Sequence, residues 1–155
     1  MKAINIDGTI KKYSSIPKSW GNIIGGFNTL SDSDLETYGF YNVTTPSTNP
    51  SQELGVIKFD SDNSVFTYVV ENKTFSQTVA EMKSQKISNL KSSAGYELAK
   101  TDWYITRKAE LGTSVPSLIT TARAEIRSLV DTSETEINAL TTKASIANYQ
   151  LPIFI

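Results

Sequence analysis

The 155-residue chain contains no cysteine and no histidine. The first absence excludes disulfides, thiolate nucleophiles and cysteine-ligated zinc. The second excludes every catalytic triad that uses an imidazole base, and removes the commonest zinc ligand. Catalysis would have to rest on carboxylates, lysine, tyrosine or a bound group, and we expect no metal and no cofactor. No stretch approaches the roughly 18 apolar residues of a membrane span. The opening MKAINIDGTIKKY lacks the continuous apolar core of a secretory signal. The expectation is a soluble chain made in a cytoplasm. Charge of one sign is also missing: 15 Lys/Arg stand against 16 Asp/Glu, a net charge of -1, which favours neither nucleic acid nor an anionic membrane as a partner. Gly21, Gly25 and Gly26 lie near Trp20 without forming a phosphate-cradling GxGxxG or GxxxxGK[ST] pattern, and read as turn glycines.

What the chain does have changes character part-way along. Residues 1–72 hold five Lys and eight Asp/Glu; residues 73–155 hold ten Lys/Arg and eight Asp/Glu. The apolar period shifts at the same place, from 2 to 3.6. In the first part, Ala3-Ile4-Asn5-Ile6 and Thr9-Ile10-Lys11-Lys12-Tyr13 flank Asp7-Gly8, a strong hairpin signal. Ser31 or Asp32 caps a short helix that ends near Tyr38, with Gly39 at its C-terminal end. Strands follow at 40–43, 55–59 and 64–70, and the Thr/Ser/Pro-rich stretch 44–52 is a loop. These elements predict a small antiparallel β domain over 1–72.

In the second part, Val79, Met82, Ile87, Leu90, Ala94 and Leu98 predict a helix over about 76–99. Val115, Leu118, Ile119, Ala122, Ile126, Leu129 and Val130 predict another from Pro116, a residue suited to a first helical turn. Asp131-Thr132-Ser133 is a candidate interruption, and Ser133 with Glu136 forms a capping-box pattern that could restart the helix. Between the two stripes, Thr101 or Asp102 caps a short corner helix that Gly112 ends. A tail from Ser145 closes on the apolar LPIFI. The fold class predicted is α+β: the β domain, then a helical hairpin over 73–155 with the corner segment 101–112 and the tail.

The chemistry-bearing clusters have plain structural readings. Asp60-Ser61-Asp62-Asn63 loosely resembles a calcium loop but lacks its sixth-position Gly and twelfth-position Glu, and reads as a turn. Asp32, Asp34 and Glu36 read as charge near a helix N-terminus. Trp103, Tyr104, Arg107 and Lys108 could form an aromatic-basic platform for sugar or nucleic acid. The reading adopted is that Asp102, Trp103 and Arg107 are a structural corner, with Trp103 and Ile105 closing the hairpin, Trp103 buried between the long helices, and the two cations solvated or paired with carboxylates. Lys143 and Tyr149 have no evident partner in the sequence.

Three runs resemble a group of small tailed-bacteriophage proteins. The first is Trp20 to Ile23 with Phe27, Asn28, Leu30, Leu35 and Tyr38 to Val43. The second is the lysine-bearing helix that leads into TDWYITRKAELG, residues 101–112, the most specific piece. The third is Val115-Pro116 with Arg123, Arg127 and the segment from Ile137 to Leu140. The chain departs from the family pattern at Leu111, where Thr is usual, and at Thr121, where an aromatic often sits. The resemblance spans most of the chain. It implies a tail, baseplate or fibre-attachment component of the virion, present in multiple copies, made in the bacterial host cytoplasm and acting by docking on other tail or baseplate proteins. It also implies, as an alternative, a tail-fibre assembly chaperone that leaves the particle. The residues themselves leave a third reading open, a small carbohydrate-binding or hydrolytic module that uses Trp103 and Asp102. Trp20, Phe40 and the tail, Leu151 to Ile155 with Ile153 and Phe154, are the candidate interface residues, because aromatic and apolar anchors supply binding energy at low entropic cost; the other reading of each is a place in the chain's own core.

Overall fold

The computed structural model describes residues 1–154. Two compact units divide the chain, Met1–Lys73 and Thr74–Ile155. The first is a mixed β-sheet with one short helix; the second is helical.

The first unit opens with strands β1 (Lys2–Ile6) and β2 (Thr9–Tyr13), antiparallel neighbours. They are joined by Asp7-Gly8, both at positive φ (50° and 83°), the backbone a tight two-residue turn requires. After a 3-10 turn at Phe27–Thr29, helix α1 (Asp32–Thr37) starts on Ser31, whose hydroxyl accepts from the Asp34 amide. Strands β3 (Tyr41–Thr44), β4 (Gln52–Asp60) and β5 (Val65–Asn72) complete a five-stranded sheet in the order β2-β1-β3-β5-β4.

The predicted all-antiparallel unit is corrected at one ladder: β3 and β5 run parallel, with Val43 opposite Phe66. The loop after β3 is the cause. It carries the chain past one strand position, β4 descends at the sheet edge, and β5 returns through the gap. The end of β5 then pins that loop, because the Lys73 amide donates to the Ser51 carbonyl and its ammonium to the Pro50 carbonyl.

Ile4, Phe27, Leu35 and Phe40 form the core of this unit, with Tyr13, Trp20 and Ile16 packed around them. Phe40 sits at the centre. Trp20 meets it edge-on at 4.8 Å, and Phe27 and Tyr13 at 5.4 Å between ring centroids. Gly39 places Phe40 there. Its φ is 83°, and the amides of Gly39 and Phe40 close the end of α1 by donating to the carbonyls of Glu36 and Leu35. A Cβ on Gly39 would lie 3.4 Å from Ile4 Cγ1. Gly39→Ala is therefore expected to destabilise the unit by about 1–2 kcal/mol, the usual cost of a left-handed non-glycine residue. Urea unfolding checks it, and an unchanged midpoint would contradict the placement.

Among the described residues the second unit contains four helices, which corrects the expectation of a simple hairpin. They are α2 (Val79–Ala99), α3 (Asp102–Leu111), α4 (Ser117–Ala139) and α5 (Lys143–Asn148). Thr78 and Glu81 form a reciprocal capping box at the start of α2. Lys83 reaches the Asn138 carbonyl, Lys91 pairs with Glu134, and the Leu98 carbonyl meets Arg123. These contacts run in opposite senses along the two chains, so α2 and α4 are antiparallel. The stripe predicted for α2 is the face that packs, with Met82, Leu90 and Ala94 buried.

On α4 the buried positions are Arg123, Ile126, Ser133 and Ile137, whereas Leu118, Ala122 and Leu129 are exposed. The seam lies one residue round from the predicted stripe. The candidate interruption at 131–133 is absent, because Ser133 lies on the packed seam of a continuous helix. The tail also begins differently: Thr142 and Ser145 cap α5, which buries Ile146 and packs on α2.

Candidate functional site

The most distinctive run of the sequence, residues 101–112, forms the corner between α2, α3 and α4. α2 ends at Ala99, and Lys100-Thr101 redirects the chain into α3. A helix end leaves carbonyls without intrahelical partners. Here a single side chain from α4 takes up that role. Arg123 is 7% exposed. Its Nη1 donates to the Leu98 carbonyl and to Thr101 Oγ1, each at 2.7 Å, and its Nη2 lies 2.8 Å from Asp102 Oδ1. The Thr101 hydroxyl in turn donates to the Leu98 carbonyl. One guanidinium thus fastens the last turn of α2 and the first residue of α3 to α4.

The expected cap on α3 is therefore not made. Neither Thr101 nor Asp102 caps the helix through its side chain; both serve Arg123 instead. Arg123 had been visible only as a charged member of the third resemblance run. The signal that could have singled it out is its phase, since it lies four residues after Ile119 and three before Ile126, in the row that packs.

Trp103 requires a correction. It is 52% exposed, not buried between the long helices. Successive helical residues turn about 100°, so with Asp102 directed at Arg123 the indole points elsewhere. The polar clasp already closes the corner, and no aromatic plug is needed. Trp103 and Tyr104 lie together at 4.1 Å between ring centroids. The Arg107 guanidinium sits 4.6 Å from the Trp103 ring and 5.6 Å from the Tyr104 ring. Arg107 was expected to be solvated or paired with a carboxylate; it stacks on aromatic rings, the i,i+4 cation–π contact that the helix permits. Along the same helix Ile105 is 43% and Leu111 73% exposed, and no residue of α3 is buried.

The remaining candidates fall into two groups. Phe40 is fully buried and Trp20 half-buried in the first unit's core. Phe40 has no surface to offer a partner, which corrects its place among the interface residues: the core of a small sheet unit needs its large aromatics. In the tail, Leu151 and Phe154 are half-buried and Ile153 is 84% exposed. Ile153 and Phe154 line two shallow cavities, of about 550 and 210 Å³, one against α2 at Tyr96 and the other against α4 at Leu129. Ile155, the last of the tail candidates, lies outside the described residues.

The polar residues left without partners in the sequence have them here. Lys143 donates to the Phe75 carbonyl at 2.9 Å, and the Tyr149 hydroxyl donates to Glu136 at 2.6 Å. Burial and the Glu136 carboxylate push the Tyr149 phenol above its usual value. Asp60 folds its carboxylate onto the Asp62 and Asn63 amides and the Asn63 side chain, an Asx turn, and these bonds hold its carboxyl below the usual range. Among the described residues no group of three acidic, His or Cys side chains could hold a metal ion.

Asp32 is held below the usual carboxylate range by the Lys2 ammonium, 3.2 Å away, and then by the Asn42 amide. A carboxylate depressed in the folded state adds stability above its unfolded pKa of about 4. That contribution is lost as pH falls through the lower folded value. The thermal midpoint is expected to fall on acidification below about pH 4, with a shallower slope in Asp32→Asn. Identical slopes in the two proteins would contradict the pairing.

No protein-family model, curated protein or solved structure matches the chain.

Proposed function

We propose that this chain is a structural protein of a tailed-bacteriophage virion, placed in the tail, baseplate or fibre attachment, and that it acts by docking on other tail proteins, not by catalysis. The observation that carries the reading joins sequence and structure. The run of most specific resemblance, TDWYITRKAELG, is the one that forms α3. The fold accounts for Thr101 and Asp102 through Arg123, and for Gly112 as the left-handed residue that ends the helix. It does not account for Trp103, Ile105 and Leu111, which are exposed. Large apolar side chains outside a core, with a rigid aromatic pair among them, suit a protein contact. Modest contacts of this kind hold when a symmetric assembly repeats them.

The assembly-chaperone reading predicts the same surface with a transient partner. Mass spectrometry of purified, salt-washed particles from cells producing the phage separates the two. A constant copy number per particle is expected. Absence from the particles would reject a virion component and leave the chaperone.

A sugar platform built on Trp103 has less support, because the neighbouring Tyr104 and Arg107 already pack on that ring. Titration with mono- and oligosaccharides is expected to leave Trp103 fluorescence unchanged.

A further inference from the structure

A cavity of about 350 Å³ lies between α3 and the first half of α4, bordered by the clasp residue Arg123 and by Ile105. Three cations line it: Lys108 from α3, and Arg123 and Arg127 from α4. Among the described residues no carboxylate does. Three other cavities on this unit each include one, Glu97, Glu125 or Asp131. Arg123 is partly neutralised by Asp102. Lys108 and Arg127 form no ion pair among the described residues. The Ser114 hydroxyl is likewise uncommitted among them, whereas Thr120 already donates to the Pro116 carbonyl.

The backbone adds to the same field. Val115 and Thr120 flank the first turn of α4, which begins at Ser117 after the N-cap Pro116 with no side-chain cap. The first turn of an uncapped helix carries partial positive charge on its free amides. Like charges gathered round one cavity repel, and a bound anion relieves that repulsion.

We infer that this cavity is a binding site for an oxyanion carried on a short apolar stem. Arg127 and Lys108 supply the charge-assisted bonds, as guanidinium and ammonium groups do for carboxylates and phosphates. Ser114 supplies a neutral donor. The stem follows from size and lining: the space exceeds what a bare oxyanion fills, and Ile105 and Val115 contribute apolar wall. The head group belongs either to a free small carboxylate or to an acidic side chain of a bound protein. The chemistry is the same in both, and it does not depend on the virion reading.

The test is an amide chemical-shift titration of the full-length chain at low ionic strength. The probes are butyrate, N-acetyl-glutamate amide and inorganic phosphate, with chloride at matched ionic strength as the baseline. Butyrate and the glutamate derivative are expected to give saturable shifts at Gly112, Ser114, Val115 and Thr120, tighter than phosphate, and to compete with each other. The tighter of the two names the source, free carboxylate or protein side chain. The double variant Lys108→Gln/Arg127→Gln alters only exposed side chains and should lose at least about tenfold in affinity, as expected for two charge-assisted bonds. Its unchanged far-UV circular dichroism would show that the fold is retained. Shifts that grow linearly for every anion, or equal affinity in the double variant, would overturn the site. Saturation by phosphate alone would overturn the apolar stem.

Discussion

Phe40→Ala is expected to remove a large share of the stability of the β unit, in a protein that still folds in the absence of denaturant. Truncating a buried phenylalanine costs about 3–5 kcal/mol, the lost transfer energy plus the cavity left behind. The unit spans only Met1–Lys73, and at about 0.05–0.15 kcal/mol per residue its stability is roughly 4–11 kcal/mol. The site is also poorly placed to collapse. Tyr13, Trp20 and Phe27 each meet the Phe40 ring at between 4.8 and 5.4 Å, and removing it strips an aromatic partner from all three. The readout is built in: Trp20 lies against the ring, so in a Trp103→Phe background its fluorescence reports on this core alone. A red-shifted emission and an early urea transition are the expected results. A loss below about 1 kcal/mol, the range of near-neutral core exchanges, would mean that the cluster is not the core of this unit.

Arg123→Met is expected to lower the stability of the helical unit by about 2 kcal/mol. Methionine keeps most of the apolar stem, so the loss isolates the guanidinium. Breaking a fully buried ion pair costs about 3–5 kcal/mol, chiefly through the charge left behind. Here the remaining carboxylate, Asp102, is 58% exposed at its side chain and water takes it over. What is lost is the two short bonds to Leu98 and Thr101. Three consequences distinguish this account from a generic ion pair. Arg123→Lys should not rescue, because one ammonium cannot reach three acceptors in a fork. Asp102→Asn should cost under about 1 kcal/mol, in line with exposed pairs. A double-mutant cycle should couple Arg123 more strongly to Thr101 than to Asp102. Rescue by lysine, or stronger coupling to Asp102, would contradict the clasp.

Much of the architecture was legible from short-range chemistry. Asp7-Gly8 marked its hairpin, Ser31 and Gly39 bracketed α1, and the α2 stripe from Met82 to Leu98 faced its partner, because each of these signals lies within one or two turns of chain. The parallel pairing of β3 with β5 was not legible. A long loop that carries the chain over a gap has the same composition as one that does not. Helix α5 escaped because six residues carry too little periodicity; it packs on α2, Ile146 is buried, and Lys143 reaches the Phe75 carbonyl.

The corner was half legible. Its boundaries, from Thr101 to Gly112, follow from local residue types, but its fastening depends on an arginine 21 residues after Asp102 in the sequence. An aromatic in a tight corner suggests a plug. Once a guanidinium fills that role, the same aromatic becomes surface, and α3 changes from buried scaffold to exposed helix.

The proposed virion role assigns the exposed side chains of α3 to a partner. The most direct measurement is the amount of a Trp103→Ala chain retained in purified phage particles, compared with wild type and paired with the thermal midpoint of the isolated protein. Half-exposed Trp103 contributes little to the fold, so the midpoint should match wild type while the variant is lost from the particles. A variant that folds normally and is retained at the wild-type copy number would contradict the account.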